Sequence, residues 1–296
     1  MLTLELKALT TAEKQNWLQH AIGPRPVAFA STIDKEGNVN LSPFSFFNMF
    51  SSNPPIVIFS PARRVRNNTT KHTLENVMQV PEVVLNICDY DMLQQVSLTS
   101  CEFPKDADEF LKSGFTKEKA IHVQPPMVKE AKVKLECKVN EIKPLGEEGG
   151  AGNLVIAEVI CMHIDESILT EDGKMIDQRK LHQIARLGGD WYSVVNENNL
   201  FKVTKPNVQL GIGVDALPES IRNSNILTGN NVGQLANVHA MPAINPGFED
   251  DTLKNIIQYY SLDPDEMEKE LHLYAKQLLD ESKVYEAWQV LLSGTI

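Results

Sequence analysis

Apolar positions along this 296-residue chain fall first into short alternating runs and only later into helical stripes. In "VAFASTI", Val27, Phe29, Ser31 and Ile33 share one face of an extended strand, while Ala28, Ala30 and Thr32 share the other. "DKEG" (34–37) closes that strand in a tight turn where Gly37 can take positive φ, and "NVNLS" returns to complete a hairpin. Pro43 cannot donate to a ladder, so it marks a bend or an edge. "PPIVIFS" (54–60) and "EVVLNIC" (82–88) read as further strands. "KVKLECKVNEIKPL" sets Val133, Leu135, Cys137 and Val139 on one face, and "GEEGGAGN" turns it back into "NLVIAEVICMHI". Helices are predicted from the Thr10–Glu13 capping box to near His20, through Leu74, Val77 and Met78, and in the short pieces "DMLQQVSLTS" and "DADEFLKSG".

Beyond about residue 200 the pattern changes. "NVQLGIGVD" alternates Val208, Leu210, Ile212 and Val214 and is predicted as one strand. "NSNILTGNNVGQLANVHAMPAINPG" is rich in Asn, Gly and Pro and is predicted to run irregularly over a surface, where it would help close a pocket; the alternative is that the whole tail is only a stabilising clasp. Pro264 after Asp263 opens a helix with Met267, Leu271, Tyr274 and Leu278 on one stripe, which Val284, Trp288 and Leu291 continue after a break. Strands first, then a helical insert, then a long hairpin, with no G-x-G-x-x-G after a strand, argue against a doubly wound parallel sheet. The expectation is an α+β fold, mainly antiparallel β: a barrel with inserted helices over residues 1–200 and a strand plus helical C-terminal extension over 201–296.

Composition narrows the function. Twenty-eight Lys and Arg face 39 Asp and Glu, a net charge of −11, so most of the surface repels nucleic acid and acidic membranes. No run approaches the ~18 apolar residues of a membrane span, and the N-terminus lacks the apolar run of a secretory signal. Cys88, Cys101, Cys137 and Cys161 are widely spaced with no C-x-x-C, which predicts buried thiols in a reduced, cytoplasmic protein. The seven histidines form no H-x-H or H-E-x-x-H, so no metal site is predicted.

Two stretches carry candidate chemistry. "NLSPFSFFNMF" (40–50) puts phenyl rings beside amides and hydroxyls, the mixture that a flat, polar-edged ring system needs. "RRVRNNTTKHT" (63–73) offers cations and hydroxyls leading into a helix N-terminus, and it has no acid from Phe59 to Leu74. That suits one phosphate; a triphosphate would want a glycine-rich loop. A ring site with one phosphate site implies a mononucleotide-like ligand. FMN comes first and pyridoxal phosphate second, because no lysine stands out in the strand pocket for a Schiff base.

The blocks "PRPVAFASTID.EGNVNLSPFSFFN", "NPPIVIFS", "NNTTKHTLENV", "VVLNI", "LEC" and "ARLGGDWY" resemble the flavin reductase-like FMN-binding split barrels, over about residues 20–200. The resemblance implies a homodimer with FMN near the subunit boundary. It implies a flavin edge at Ser31, Thr32, Asn40, Ser42, Ser45 and Phe46, and a phosphate at Ser60, Arg63, Lys71 and Thr73. Arg186, Gly188 and Gly189 match a late motif near the cofactor. His72 departs from the pattern, standing where many members have an acid. The implied activity is reduction of bound flavin by NADH or NADPH, with electrons passed to a free flavin or another acceptor and no acid–base residue required. A non-enzymatic FMN electron carrier and a pyridoxamine phosphate oxidase-like enzyme remain alternatives.

Overall fold

A computed structural model describes residues 1–203 and 210–294. The chain divides into two compact units, Met1–Phe201 and Lys202–Ile296.

The first unit opens with α1 (Thr11–Ala21), whose capping box forms as predicted: the Thr10 amide donates to Glu13 Oε2 at 2.8 Å and the Glu13 amide to Thr10 Oγ1 at 3.3 Å. The strands β1 (Arg25–Pro26), β2 (Ala28–Ile33), β3 (Val39–Phe44), β4 (Phe47–Ser52) and β5 (Pro55–Phe59) follow. After them come α2 (His72–Gln79), β6 (Glu82–Ile87), α3 (Leu93–Leu98), α4 (Glu109–Ser113), β7 (Lys117–Glu118) and β8 (Met127–Val128). The long pair β9 (Val133–Pro144) and β10 (Asn153–Ile164) precedes α5 (Gln178–Leu181), β11 (Ile184–Arg186) and β12 (Tyr192–Val194).

Seven strands form one antiparallel sheet in the order β3-β2-β6-β9-β10-β5-β4, and β1, β11 and β12 form a smaller one. The two edge strands of the seven-stranded sheet, β3 and β4, are joined by only Ser45 and Phe46. Pro43 is tolerated because β3 is an edge; it lies opposite Phe29 and the ladder runs past it to Phe44. The alternation of β2 sorts as predicted. Ala28 and Ala30 join a core with Phe59, Val83, Leu85, Leu135, Cys137 and Val155. Phe29 packs on the opposite side with Leu41, Val96, Phe110 and Phe115, under the inserted helices. The strand β4 was not foreseen, because Met49 and Phe50 are exposed and Phe47 only half-buried, so no alternation marks it.

The second unit has its own core. Leu271, Leu278, Trp288 and Leu291 of the predicted stripes pack with Leu217, Ile221, Leu235 and Leu253. Its helices are α6 (Glu219–Arg222), α7 (Gly229–Ala236), α8 (Asp251–Tyr259), α9 (Pro264–Asp280) and α10 (Val284–Ser293). Two expectations are corrected here. Leu210 and Ile212 are not in a strand and Val214 begins a short 3-10 turn, while Val208 lies outside the described residues. The Asn-rich segment is not wholly irregular: Thr228 and Asn231 cap α7 reciprocally, and Asn231 Nδ2 donates to Asp280 Oδ1 at 3.2 Å. Asparagine and glycine scored against helix there, but the cap and the buried Val232 and Leu235 outweigh that propensity.

No helix among the described residues is long and apolar enough to cross a membrane. Cys88 and Cys137 are buried, and burial raises both thiols, Cys137 to about 12. Cys101 is exposed and Cys161 half-buried, against expectation.

Candidate functional site

The basic stretch becomes a loop that folds on its own arginines. Arg63 Nε donates to Asn68 Oδ1 and Nη2 to Asn68 O, both at 2.6 Å, and Asn68 takes a positive φ of 54°. Arg64 Nη1 donates to Thr69 Oγ1 at 2.9 Å and to Thr70 O. Glu102 balances part of the charge, pairing with Arg66 and lying 3.6 Å from Arg64 Nε.

The tip of the β9–β10 hairpin seats this loop. The Arg63 amide donates to Ala151 O at 2.8 Å and the Gly150 amide to Arg63 O at 3.0 Å. A Cβ on Gly149 would stand 3.0 Å from Val65 O and 3.1 Å from Arg64 O, so only glycine allows backbone on backbone there.

The loop delivers Lys71 to the N-terminus of α2, where no side chain caps the helix. A helix start leaves amide N–H groups without intrahelical partners and carries a partial positive charge. Lys71 Nζ makes no hydrogen bond or ion pair among the described residues, and it is half-buried. Burial, and then the neighbouring Arg64, hold its pKa below the ordinary lysine value. Two turns of hydrogen bonding tie α2 to the hairpin: Asn40 Nδ2 donates to Thr73 Oγ1 at 3.3 Å and Asn76 Nδ2 to Thr32 Oγ1 at 3.2 Å.

A cavity of about 720 Å³ opens beside this loop. Arg63, Arg64 and Lys71 form one wall; Lys14, Gln15 and Leu18 of α1 form another; Phe46 adds an aromatic surface. A recess of about 30 Å³, lined by Asn40, Ser42 and Thr73, adjoins it through shared Arg64, Lys71 and Glu102.

The structure therefore brings together Asn40, Ser42, Phe46, Arg63, Lys71 and Thr73. The other predicted residues line neither space. Ser31 and Thr32 are fully buried, Ser31 Oγ without a hydrogen-bond partner among the described residues. Ser45 sits in the bend between β3 and β4, and the Ser60 amide donates to Phe46 O at 2.9 Å. Arg186 Nη1 donates to Tyr192 Oη at 3.1 Å and Nη2 to Gly189 O at 3.2 Å. A Cβ on Gly188 would lie 2.2 Å from the His20 ring, so this glycine lets the end of α1 approach.

Sequence reasoning missed Arg25 and the α1 wall. Arg25 is buried and donates to Gln19 O at 2.7 Å, to Ile22 O, and to Leu187 O at 2.8 Å, pinning α1 to the segment after β11. The "PRP" block held the signal, since a charged residue between two prolines at a strand start needs a reason. Glu136, Cys161 and His163 are the cluster of metal-ligand types among the described residues. The Glu136 carboxylate already accepts from the amides of Ile121, His122 and Val123 and from His163 Nε2 at 2.7 Å.

Residues 22–185 match the family described as flavin reductase like domain. An uncharacterized protein of Aquifex aeolicus is 36% identical over 169 residues, 57% of this chain and 83% of its own. The structure of nitrilotriacetate monooxygenase component B from Bacillus cereus is similar with a TM-score of 0.64 and 30% identity, covering 69% of this chain and 98% of that one. A candidate flavin reductase with split barrel domain from Shewanella frigidimarina is similar at a TM-score of 0.58 and 28% identity, covering 68% and 96%. With the family matched across most of the first unit and the antiparallel sheet shared with these structures, the chain belongs to the flavin reductase like domain family and has its split-barrel fold.

Proposed function

We propose that this flavin-related oxidoreductase binds FMN and reduces it with NADH or NADPH, passing the electrons to a free flavin or another acceptor. The observation that carries this reading is Lys71, a half-buried cation with no hydrogen bond or ion pair among the described residues, at an uncapped helix start on the wall of a cavity with an aromatic side. Burial and Arg64 disfavour this charge and Glu102 offsets that only in part, so an anion arriving at that point stabilises it. The donor set fits a phosphorylated planar cofactor: Lys71, Thr73 and the first amides of α2 would hold the phosphate, with Arg63 beside them. Asn40 and Ser42 offer hydrogen bonds to a ring edge, and Phe46 a face to lie against.

When bound, the flavin supplies hydride acceptance from a nicotinamide and onward electron transfer. The chain's own work is positional. Arg64, held by Thr69, Thr70 and Glu102, keeps the loop in place. Thr32 and Asn76 lock α2 against the hairpin, so the phosphate and ring contacts keep a fixed spacing. Cations near the cavity would stabilise negative charge that develops on a reduced ring.

The protein acts as a homodimer in this reading. Met49 and Phe50 on the edge strand β4, with Ile160 and Met162 on β10, expose apolar surface on one connected sheet, which suits a second copy. The buried free thiols fit a reducing, cytoplasmic setting.

Anaerobic titration of the FMN-loaded protein with NADH and with NADPH tests the reading. Bleaching of the flavin band by either nucleotide is expected. Binding of FMN with no reduction by either would leave an electron carrier, and failure to bind FMN would sink the proposal.

A further inference from the structure

The cavity carries more positive charge than one phosphate neutralises. Lys14, Arg25, Arg63, Arg64, Arg66 and Lys71 line it against a single acid, Glu102, in a chain where acids outnumber bases. A phosphate monoester brings about −2 at neutral pH, which leaves most of that charge unmatched. The surplus is also separated by wall. Lys71 and Arg64 come from the loop before α2, whereas Lys14 comes from α1 and Arg25 from β1.

On the second wall Lys14 has donors to spare and Arg25 adds a fixed charge. Lys14 Nζ has no hydrogen bond or ion pair among the described residues. Arg25 is only 8% exposed, lines the cavity, and its Nε has no partner among the described residues. Its two terminal nitrogens are spent on Gln19 O, Ile22 O and Leu187 O, so the guanidinium is fixed in place. The guanidinium therefore holds a fixed positive charge at the cavity wall, which attracts an anion in the cavity. Leu18 and Ile22 add exposed apolar surface on the same wall.

We propose that Lys14 and Arg25 form a second anion subsite, which takes the phosphate of a second nucleotide beside the bound mononucleotide. This rests on the FMN reading above. The second nucleotide is the dinucleotide donor, held by its pyrophosphate, or an acceptor flavin mononucleotide, held by its phosphate. Arg25 also positions α1, so Lys14 on the solvated helix is the residue to change.

The test compares wild type, Lys14→Gln and Lys14→Arg. Calorimetric titration with ADP-ribose reads the pyrophosphate source; the KM for FMN relative to riboflavin as acceptor reads the other. The expected result is about a tenfold or greater loss in one of these arms for Lys14→Gln, the size of a lost charged hydrogen bond. Lys14→Arg should restore it, and the affinity for the resident FMN should not move. Wild-type levels in both arms for Lys14→Gln would overturn the subsite. The ADP-ribose titration does not need a loaded flavin, and the flavin content is read separately, so failure of the subsite and failure of the FMN reading remain distinguishable.

Discussion

Asn40 Nδ2 donates to Thr73 Oγ1 across 3.3 Å, joining the return strand of the first hairpin to the first turn of α2. Both residues are buried. The bond holds the ring-edge block and the phosphate block at one spacing, although 33 residues separate them in sequence.

Replacing Thr73 with Val keeps the shape and leaves the Asn40 amide without that acceptor. The expected cost is about 1–3 kcal/mol of unfolding free energy, the range for an orphaned buried polar group, with weaker FMN binding. Urea unfolding and FMN titration measure the two effects. A double change of Asn40 and Thr73 should cost less than the sum of the singles; strict additivity would mean the bond carries no coupling.

Gly150→Ala should loosen the phosphate loop. Gly150 has φ +93°, and a Cβ there would lie 2.7 Å from Thr11 Cγ2 on α1. Strained backbone of this kind costs about 1–3 kcal/mol. Adding Thr11→Ser removes the steric part and should recover only a fraction of the melting temperature, because the positive φ remains. Full recovery would show that the backbone conformation contributes nothing.

His272 should make the second unit sensitive to acid. Ser224 Oγ accepts the amides of Ile226 and Leu227, each at 3.2 Å, so its hydroxyl donates to His272 Nδ1 at 2.8 Å, which requires a neutral ring. Burial lowers the His272 pKa below 6.5, and Glu268 opposes this only in part. With the folded pKa below the unfolded one, the unfolded chain binds more protons in acid. The stabilisation is therefore present above about pH 6.5 and is lost as pH falls through the folded pKa. Thermal melts of wild type and His272→Gln from pH 7.5 to 5 should converge on the acid side; a constant gap would remove His272 from the account.

The elements most legible in the sequence were those with a strict period or a cap. β2 was legible because its two faces pack into different cores, Ala28 and Ala30 into one and Phe29 into the other, and β9 because Val133, Leu135 and Cys137 share one buried face, while Thr10–Glu13 and Asp263–Pro264 announce helix starts by capping chemistry. β4 was hidden because an exposed edge strand buries no consistent face. α7 was hidden because its start depends on a reciprocal Thr228–Asn231 cap in a segment of poor propensity. In the candidate site, Lys71 and Thr73 were legible from charge and position. Arg25 was marked only by its place between two prolines, and Lys14 not at all, because a wall made by packing an N-terminal helix across a loop leaves no local pattern.

The measurement closest to the central claim is the affinity of the apoprotein for FMN and for riboflavin, in wild type and in Lys71→Ala. The two ligands differ only in the phosphate. Wild type should prefer FMN, and Lys71→Ala should lose about 1.5–3 kcal/mol of FMN binding, the value of a charge-assisted hydrogen bond, while riboflavin binding stays unchanged. Equal affinities for FMN and riboflavin in wild type, or an unchanged FMN affinity in Lys71→Ala, would contradict a phosphate site at the start of α2.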